Sequence, residues 1–264
     1  MLNITLTSDL GHQDHYLSIL KRQVRSLFPS ALLEDITHEV PPHHLLNAAF
    51  VVKRSFPYFQ EKSLHVIALE DLDLPDAPLV LVKFKHHYFL AKNNGILSLV
   101  LGDKAEFCYE IKEASPHSFF PFLNPYVQAL ELIKQANVLE SLPVSSFGKS
   151  VEMLQKSHLH PNVQKGLIRG SVVYNDAKGN AYTNIHFKSF GLFEDMFNSY
   201  KIFYNRQDYF DAVIHEMSEL EMGEPYAAFD ENGHLVIGIF GGNAKQLLSL
   251  EYGSMILVQF FEDE

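Results

Sequence analysis

The stretch LNITLTSDLGHQDHYLSILKRQVRSLF, residues 2–28, decides how the first half of the chain is read. It opens on LNITL, a short apolar run with β-branched residues, which predicts a strand. It closes on YLSILKRQVRSLF, where Tyr16, Leu17, Leu20, Val24, Leu27 and Phe28 recur at helical spacing. Between them lies a turn with Asp9 and Asp14 on either side of Gly11. A strand–turn–helix at the start of an α/β domain puts its turn at the carboxyl end of the sheet, where open α/β sheets bind ligands. The aspartates can serve the backbone locally, Asp14 as helix cap and Asp9 in the turn, or they can face a ligand.

The alternation continues outward from this unit. SALLEDI reads as a buried strand, and Pro41 and Pro42 can open a helix running on Leu45, Leu46, Ala49, Val52 and Phe56. LHVIAL follows as a strand, PLVLVKF and HYFLA as a hairpin, and NPYVQALELIKQA as a further helix. Strands alternating with helices predict an α/β N-terminal domain with a mostly parallel sheet over residues 1–142. Residues 143–165 carry Pro, Ser and Gly without a sustained period and read as a linker. From there to residue 264 the chain is strand-rich, with turns such as NDAKGN and DENGH, and predicts an all-β C-terminal barrel domain.

Composition narrows the function classes. With 264 residues and 47% apolar content the chain can bury a sizeable core. A net charge of −11 argues against nucleic acid and anionic membranes as partners and leaves room for a small molecule, a cationic one included. No apolar run reaches membrane-spanning length, and the N-terminus lacks the pattern of a secretory signal. Cys108 is the single cysteine, which excludes an internal disulfide and fits a cytoplasmic location. Among 14 histidines, the run DITHEVPPHH offers Asp35, His38, His43 and His44 as metal ligands. Adjacent His43 and His44 would diverge on a helix and no HxxxH spacing occurs, so no metal is expected.

Five motifs stand in order: LTSDLGHQDHY, EDITHEVPPHHLLNAAF, YFLAKNNGILS, VVYNDAKGNAYTNIHF and GHLVIGIFGGNAKQLL. Together they resemble the S-adenosylmethionine hydroxide adenosyltransferases, the family that also contains fluorinating and chlorinating enzymes. The resemblance implies an α/β domain followed by a β-barrel, assembled as a homotrimer. It places the substrate between one subunit's N-terminal domain and a neighbour's C-terminal domain, with no cofactor. It further implies hydrolysis of S-adenosylmethionine to adenosine and methionine. Methionine leaves as a neutral thioether, so departure needs no acid, whereas water needs alignment and a base or polarising group.

Residue by residue, the resemblance assigns Asp9 to the ribose diol and Asp14 to the amino-acid end. Asn93 and Asn94 fall on a turn near the ribose. Asp176 and Asn180 match a barrel motif at the methionine portion, in which Lys178 replaces a phenylalanine. Asn243 and Ala244 lie where the family holds adenine, partly through backbone groups. At the reacting centre the chain departs from the pattern. Where the hydrolytic members carry VDPGVGT and then an arginine, this chain reads LEDLDLPDAP, and no arginine lies between Glu70 and His117. Glu70 stands at or beside the family aspartate, with Asp71 and Asp73 close by. His117 matches the family histidine, and Ser118 follows where halogenating members carry a serine. The carboxylates of the loop would repel a halide. The resemblance therefore names Glu70, Asp73 and His117 as candidate catalytic groups. The loss of the arginine leaves a second reading, a non-catalytic adenosine or S-adenosylmethionine binding protein.

Overall fold

In the computed structural model, residues 1–102, 105–111, 124–135, 149–156, 160–194 and 196–262 are described. The chain divides into two units, Met1–Ser157 and His158–Glu264.

The first unit is a six-stranded sheet of order β2-β1-β3-β5-β4-β6. Its strands are β1 (Asn3–Ser8), β2 (Leu32–Thr37), β3 (Leu64–Ala68), β4 (Leu79–Phe84), β5 (His87–Lys92) and β6 (Phe107–Glu110). The pairs β1–β2, β1–β3 and β3–β5 are parallel, and β4 runs antiparallel to both β5 and β6. Helices α1 (Tyr16–Leu27) and α4 (Asn124–Gln135) cover one face. There Leu20, Val24, Leu130 and Ile133 bury against Ile4, Leu6, Val66 and Leu90. Helix α2 (Leu45–Ser55) and its 3-10 extension Phe56–Tyr58 belong to the other face, where the Phe56 ring meets His65, His87 and Phe89 edge-on. The central strands β1, β3 and β5 are thus buried on both faces, as a sheet covered on both sides requires, whereas β2, which reads as a buried strand in the sequence, lies at the edge of the sheet and is only partly buried.

Two local expectations change. Helix α1 has His15, not Asp14, at its N-cap, and no side-chain cap bond. Helix α2 begins at Leu45 rather than at the prolines, because His43 adopts a left-handed φ of 65° that no helix continues. The sequence reading also passes over α3 (Ile96–Leu101), a short helix whose residues are all buried. Residues 149–156, within the stretch that reads as a connection, are tied to this unit. Val151 N–H donates to Cys108 O, and Lys156 N–H donates to Ser98 Oγ.

The second unit is an antiparallel sheet that nearly closes into a barrel, of order β11-β10-β14-β8-β9-β13-β12, with β7 beside β8. Its strands are β7 (Asn162–Gln164), β8 (Leu167–Asn175), β9 (Ala181–His186), β10 (Ser199–Phe203), β11 (Tyr209–Phe210), β12 (Pro225–Phe229), β13 (His234–Ile239) and β14 (Met255–Phe261). Helix α5 (Phe187–Glu194) seats Phe190 and Phe193 among Ile168, Ile185, Ile202, Ile256 and Val258. The α/β domain followed by an all-β barrel is therefore what the chain forms. Among the described residues, no helix is long and apolar enough to cross a membrane.

Candidate functional site

The order β2-β1-β3 puts the first strand between two parallel neighbours, so the chain leaves its carboxyl end at the point where strand order reverses. Thr7 pairs with Thr37 on one side and Ile67 on the other, and Ser8 pairs with Ala68. The strands therefore end level, and the segments after them start together. Ligand crevices of open α/β sheets form at such points. Asp9 is the first residue beyond the first strand. Its Oδ2 accepts a hydrogen bond from the main-chain N–H of Glu70 at 3.0 Å. His43 Nδ1 lies 3.3 Å from the carbonyl oxygen of that same Glu70. Burial pushes the Asp9 carboxyl above its ordinary pKa, and the nearby Glu70 charge pushes the same way. The amide donors and His43 pull against that shift.

The acidic loop distributes its carboxylates unevenly. Glu70 and Asp73 are exposed, whereas Asp71 is 4% exposed. Asp71 Oδ1 accepts from the N–H of Asp73 at 3.0 Å, and its Oδ2 is buried without a hydrogen-bond partner. Four buried side-chain atoms among the described residues share that condition, and three of them, on Thr7, His38 and Asp71, lie at or just past the carboxyl ends of the first three strands. Such orphans are rare enough in folded proteins to mark a functional or strained region.

Asp14 is exposed between the Gly11 turn and α1. Asn94 is buried, and its Oδ1 accepts from Ile96 N–H at the start of α3. Asn93 Nδ2 donates to Glu152 O, and Asn93 Oδ1 accepts from Leu154 N–H. The turn holding both asparagines ends β5 and is drawn to the acidic loop by Lys92 Nζ on Pro75 O at 2.6 Å and Asn93 N–H on Pro78 O at 2.8 Å. His117 and Ser118 lie outside the described residues.

In the second unit the two barrel motifs meet. Asp176 Oδ1 accepts from the N–H groups of Lys178 and Asn180, and its Oδ2 accepts from Asn180 Nδ2. The Tyr226 hydroxyl donates to Asn180 Oδ1 at 3.3 Å. Gly179, in the left-handed region at φ 86°, packs against the Asn243 side chain, and its carbonyl accepts from Lys245 N–H at 2.9 Å. Asn243 caps α6 (Ala244–Leu247) through Gln246 N–H, and Ala244 is fully buried. The Asp176 and Asn180 side chains thus hold the turn itself, with Lys178 exposed at its tip.

Of the sequence candidates, the structure brings Asp9 to the backbone of Glu70, and the Asp176–Asn180 turn to Asn243. Among the described residues no group of three or more His, Cys, Asp or Glu is placed to hold a metal ion. His38 turns inward instead. Its Nδ1 lies 2.7 Å from Ser8 Oγ, and its Nε2 lies 3.2 Å from Asp35 Oδ1 without hydrogen-bond alignment. Sequence reasoning left out Ser8 and set the metal-ligand reading of His38 below that of an ordinary surface or supporting histidine; it could not name the partner, which only the strand pairing shows.

A mixed α/β sheet in the first unit, followed by an antiparallel, nearly closed barrel in the second, defines a two-unit α/β and β-barrel protein. The chain belongs to the S-adenosylmethionine hydroxide adenosyltransferase family, whose N-terminal domain matches residues 4–142 and whose C-terminal domain matches residues 170–257. It is 23% identical over 261 residues to the (R)-S-adenosyl-L-methionine hydrolase of Thermus thermophilus, covering 96% of this chain and 98% of that one. The hydrolase of the same name from Methanocaldococcus jannaschii is 27% identical over 125 residues, covering 44% of this chain and 47% of that one. In fold it is similar to an uncharacterized conserved protein of Thermotoga maritima, with a TM-score of 0.80 and 24% identity, covering 98% and 100% of the two chains. A conserved hypothetical protein of Thermus thermophilus gives a TM-score of 0.72 at 20% identity, covering 99% and 100%.

Proposed function

We propose that the protein hydrolyses S-adenosylmethionine to adenosine and L-methionine. Water attacks the ribose C5′, the C5′–sulfur bond breaks, both its electrons leave with the methionine sulfur, and one proton is released. The observation that carries this reading is Asp9. Its Oδ2 is anchored by the Glu70 amide, so the carboxylate is held at the carboxyl edge before a ligand arrives. An oriented carboxylate suits a ribose diol, whose two hydroxyls both donate. Asp14 takes the substrate's ammonium, and Asn94 and Ser118 serve the substrate as the family resemblance assigns them. Glu70 or Asp73 and His117 align the water and take its proton. Asp176, Asn180, Asn243 and Ala244 of a neighbouring subunit's barrel close the site in a homotrimer, the first pair shaping the turn and the second pair presenting backbone to adenine. The reaction needs no cofactor, and the soluble reaction partners fit a cytoplasmic enzyme.

The family membership and the hydrolase relatives support this reading. A second reading, an adenosine or S-adenosylmethionine binding protein without turnover, is favoured by the exposure of Glu70 and Asp73 and by the missing arginine. Incubation of purified protein with S-adenosylmethionine, followed by chromatography, decides between them. Adenosine and methionine from wild type but not from Asp9→Ala support hydrolysis. Binding by calorimetry with no product supports the second reading.

A further inference from the structure

Ser8 is fully buried, so its hydroxyl must find its partners within the protein. Leu10 N–H approaches its Oγ at 3.3 Å and occupies one lone pair. Among the described residues the acceptor for the hydroxyl hydrogen is His38 Nδ1 at 2.7 Å. His38 is itself 1% exposed. With Nδ1 accepting, the neutral ring carries its hydrogen on Nε2, which faces Asp35 Oδ1 at 3.2 Å. The other oxygen of Asp35 accepts from Lys21 Nζ at 2.6 Å. The carbonyl of His38 accepts from Gly11 N–H at 2.8 Å, and Gly11 needs its left-handed φ of 64° to present that N–H. His38 therefore grips the turn on both sides of Asp9, at residue 8 through the ring and at residue 11 through the main chain. The third grip is the Glu70 amide on Asp9 itself.

We propose that His38 is a positioning residue that locks the Ser8–Gly11 turn and so pre-sets the Asp9 carboxylate for the ligand. The assignment of Asp9 to the ligand rests on the function proposed above; the lock on the turn does not. Parallel pairing of Thr7 with Thr37 makes the arrangement possible, because it seats residue 38 beside residue 8. A turn ordered beforehand spares the ligand the cost of ordering it. His38 touches only protein, so its effect on the ligand is exerted through Asp9.

The test combines hydrogen-exchange mass spectrometry of the free protein with calorimetry against S-adenosylmethionine. Wild type is compared with Ser8→Ala, His38→Ala, His38→Asn, His38→Gln, the double variant Ser8→Ala/His38→Ala, and Asp9→Ala. The expected result is faster exchange in the peptide spanning residues 8–12 and an affinity about tenfold weaker in each alanine variant, the order of one lost hydrogen bond. The double variant is then no weaker than either single one. An asparagine amide oxygen takes the place of Nδ1 and restores both readouts, whereas glutamine, whose amide reaches the place of Nε2, does not. A residue that merely fills space would show neither the non-additivity nor the selective rescue. Unchanged exchange at residues 8–12 in both Ser8→Ala and His38→Ala relative to wild type overturns the lock. If His38→Ala does not fold, Ser8→Ala carries the same measurement. Wild-type affinity in Asp9→Ala would instead remove Asp9 from the ligand, and the exchange data would still decide the lock.

Discussion

The main-chain amide of Glu70 donates a hydrogen bond of 3.0 Å to Oδ2 of Asp9, a residue 61 positions earlier in the chain. The bond fixes one carboxylate oxygen and directs the other toward a ligand hydroxyl in the function proposed above. Asp9→Ala should therefore weaken S-adenosylmethionine binding about a hundredfold, the order expected for one charge-assisted hydrogen bond. Because the Asp9 pKa is raised, chiefly by burial, its protonation begins above the usual carboxylate range. Protonation removes an acceptor, so affinity should fall as pH drops through that raised value. Asp9→Asn should be weaker at every pH and lack that dependence. Calorimetry between about pH 4 and 7 reads both, and a flat wild-type profile would contradict the role.

The three carboxylates of the acidic loop should respond differently to neutralisation. Glu70→Gln and Asp73→Asn alter exposed side chains, so unfolding free energy should stay within about 0.5 kcal/mol of wild type. If either aligns water, turnover drops while binding persists. Asp71→Asn keeps the acceptor for the Asp73 amide and removes an unpaired buried charge. A gain of about 1 kcal/mol in a urea melt is expected. A loss of stability would show that the charge is compensated in the folded state.

Acid should weaken the first unit through His65. This histidine is 1% exposed, hydrogen-bonded to Thr5 Oγ1 through Nδ1 and to His87 Nδ1 through Nε2. Burial, helped by the His87 charge, lowers its pKa to about 3. His87 is shifted in the same direction, also by burial. The unfolded chain then binds more protons than the folded one below about pH 6.5. Stability is complete above that pH and falls on acidification, by up to about 1.4 kcal/mol per pH unit for His65 alone, until about pH 3. His65→Phe should make the profile shallower. It should also cost about 1–3 kcal/mol near neutrality, where the Thr5 hydroxyl would lose its partner. Urea melts across the range test this.

Gly179 should tolerate no side chain. Its φ of 86° disfavours any Cβ, and a Cβ there would meet the Asn243 amide. Gly179→Ala should destabilise the second unit by several kcal/mol, combining backbone strain with a clash. Asn243→Ala alone should cost about 1 kcal/mol through loss of the α6 cap. In the double variant the clash is relieved, so the loss should be less than the sum. Additive losses would mean that backbone strain alone penalises the alanine.

Much of the fold is legible because burial writes itself into periodicity. LNITL and LHVIAL are apolar runs too short for helices, and α1 shows its stripe through Leu17, Leu20 and Val24. ILSLVL of α3 is buried on every side and so has no stripe to read. FKSFGLFE of α5 carries a glycine and few polar residues, which hides its helical face. PYAAF of β12 starts on a proline and offers little alternation. Within the candidate site, Asp9 stands out because a glycine turn follows a strand. Asp71 does not, because sequence cannot say which carboxylate of EDLD turns inward. His38 reads as one ordinary histidine among 14 until parallel pairing gives it Ser8 as a neighbour.

The reversed direction of β4 shapes how this architecture can change. Leu79 pairs with Lys92 at the carboxyl edge and Phe84 with His87 at the opposite edge. The loop leaving β3 therefore never crosses the sheet. It starts and ends on the edge that carries Asp9, and no connecting helix depends on its length. Its length is set by its own anchors, the Glu70 amide on Asp9, Lys92 on Pro75 O and Asn93 N–H on Pro78 O, and not by the register of the strands. The segment is a natural cassette, and exchanging it for a relative's loop is the shortest route to altering the reaction while the surrounding scaffold stays intact.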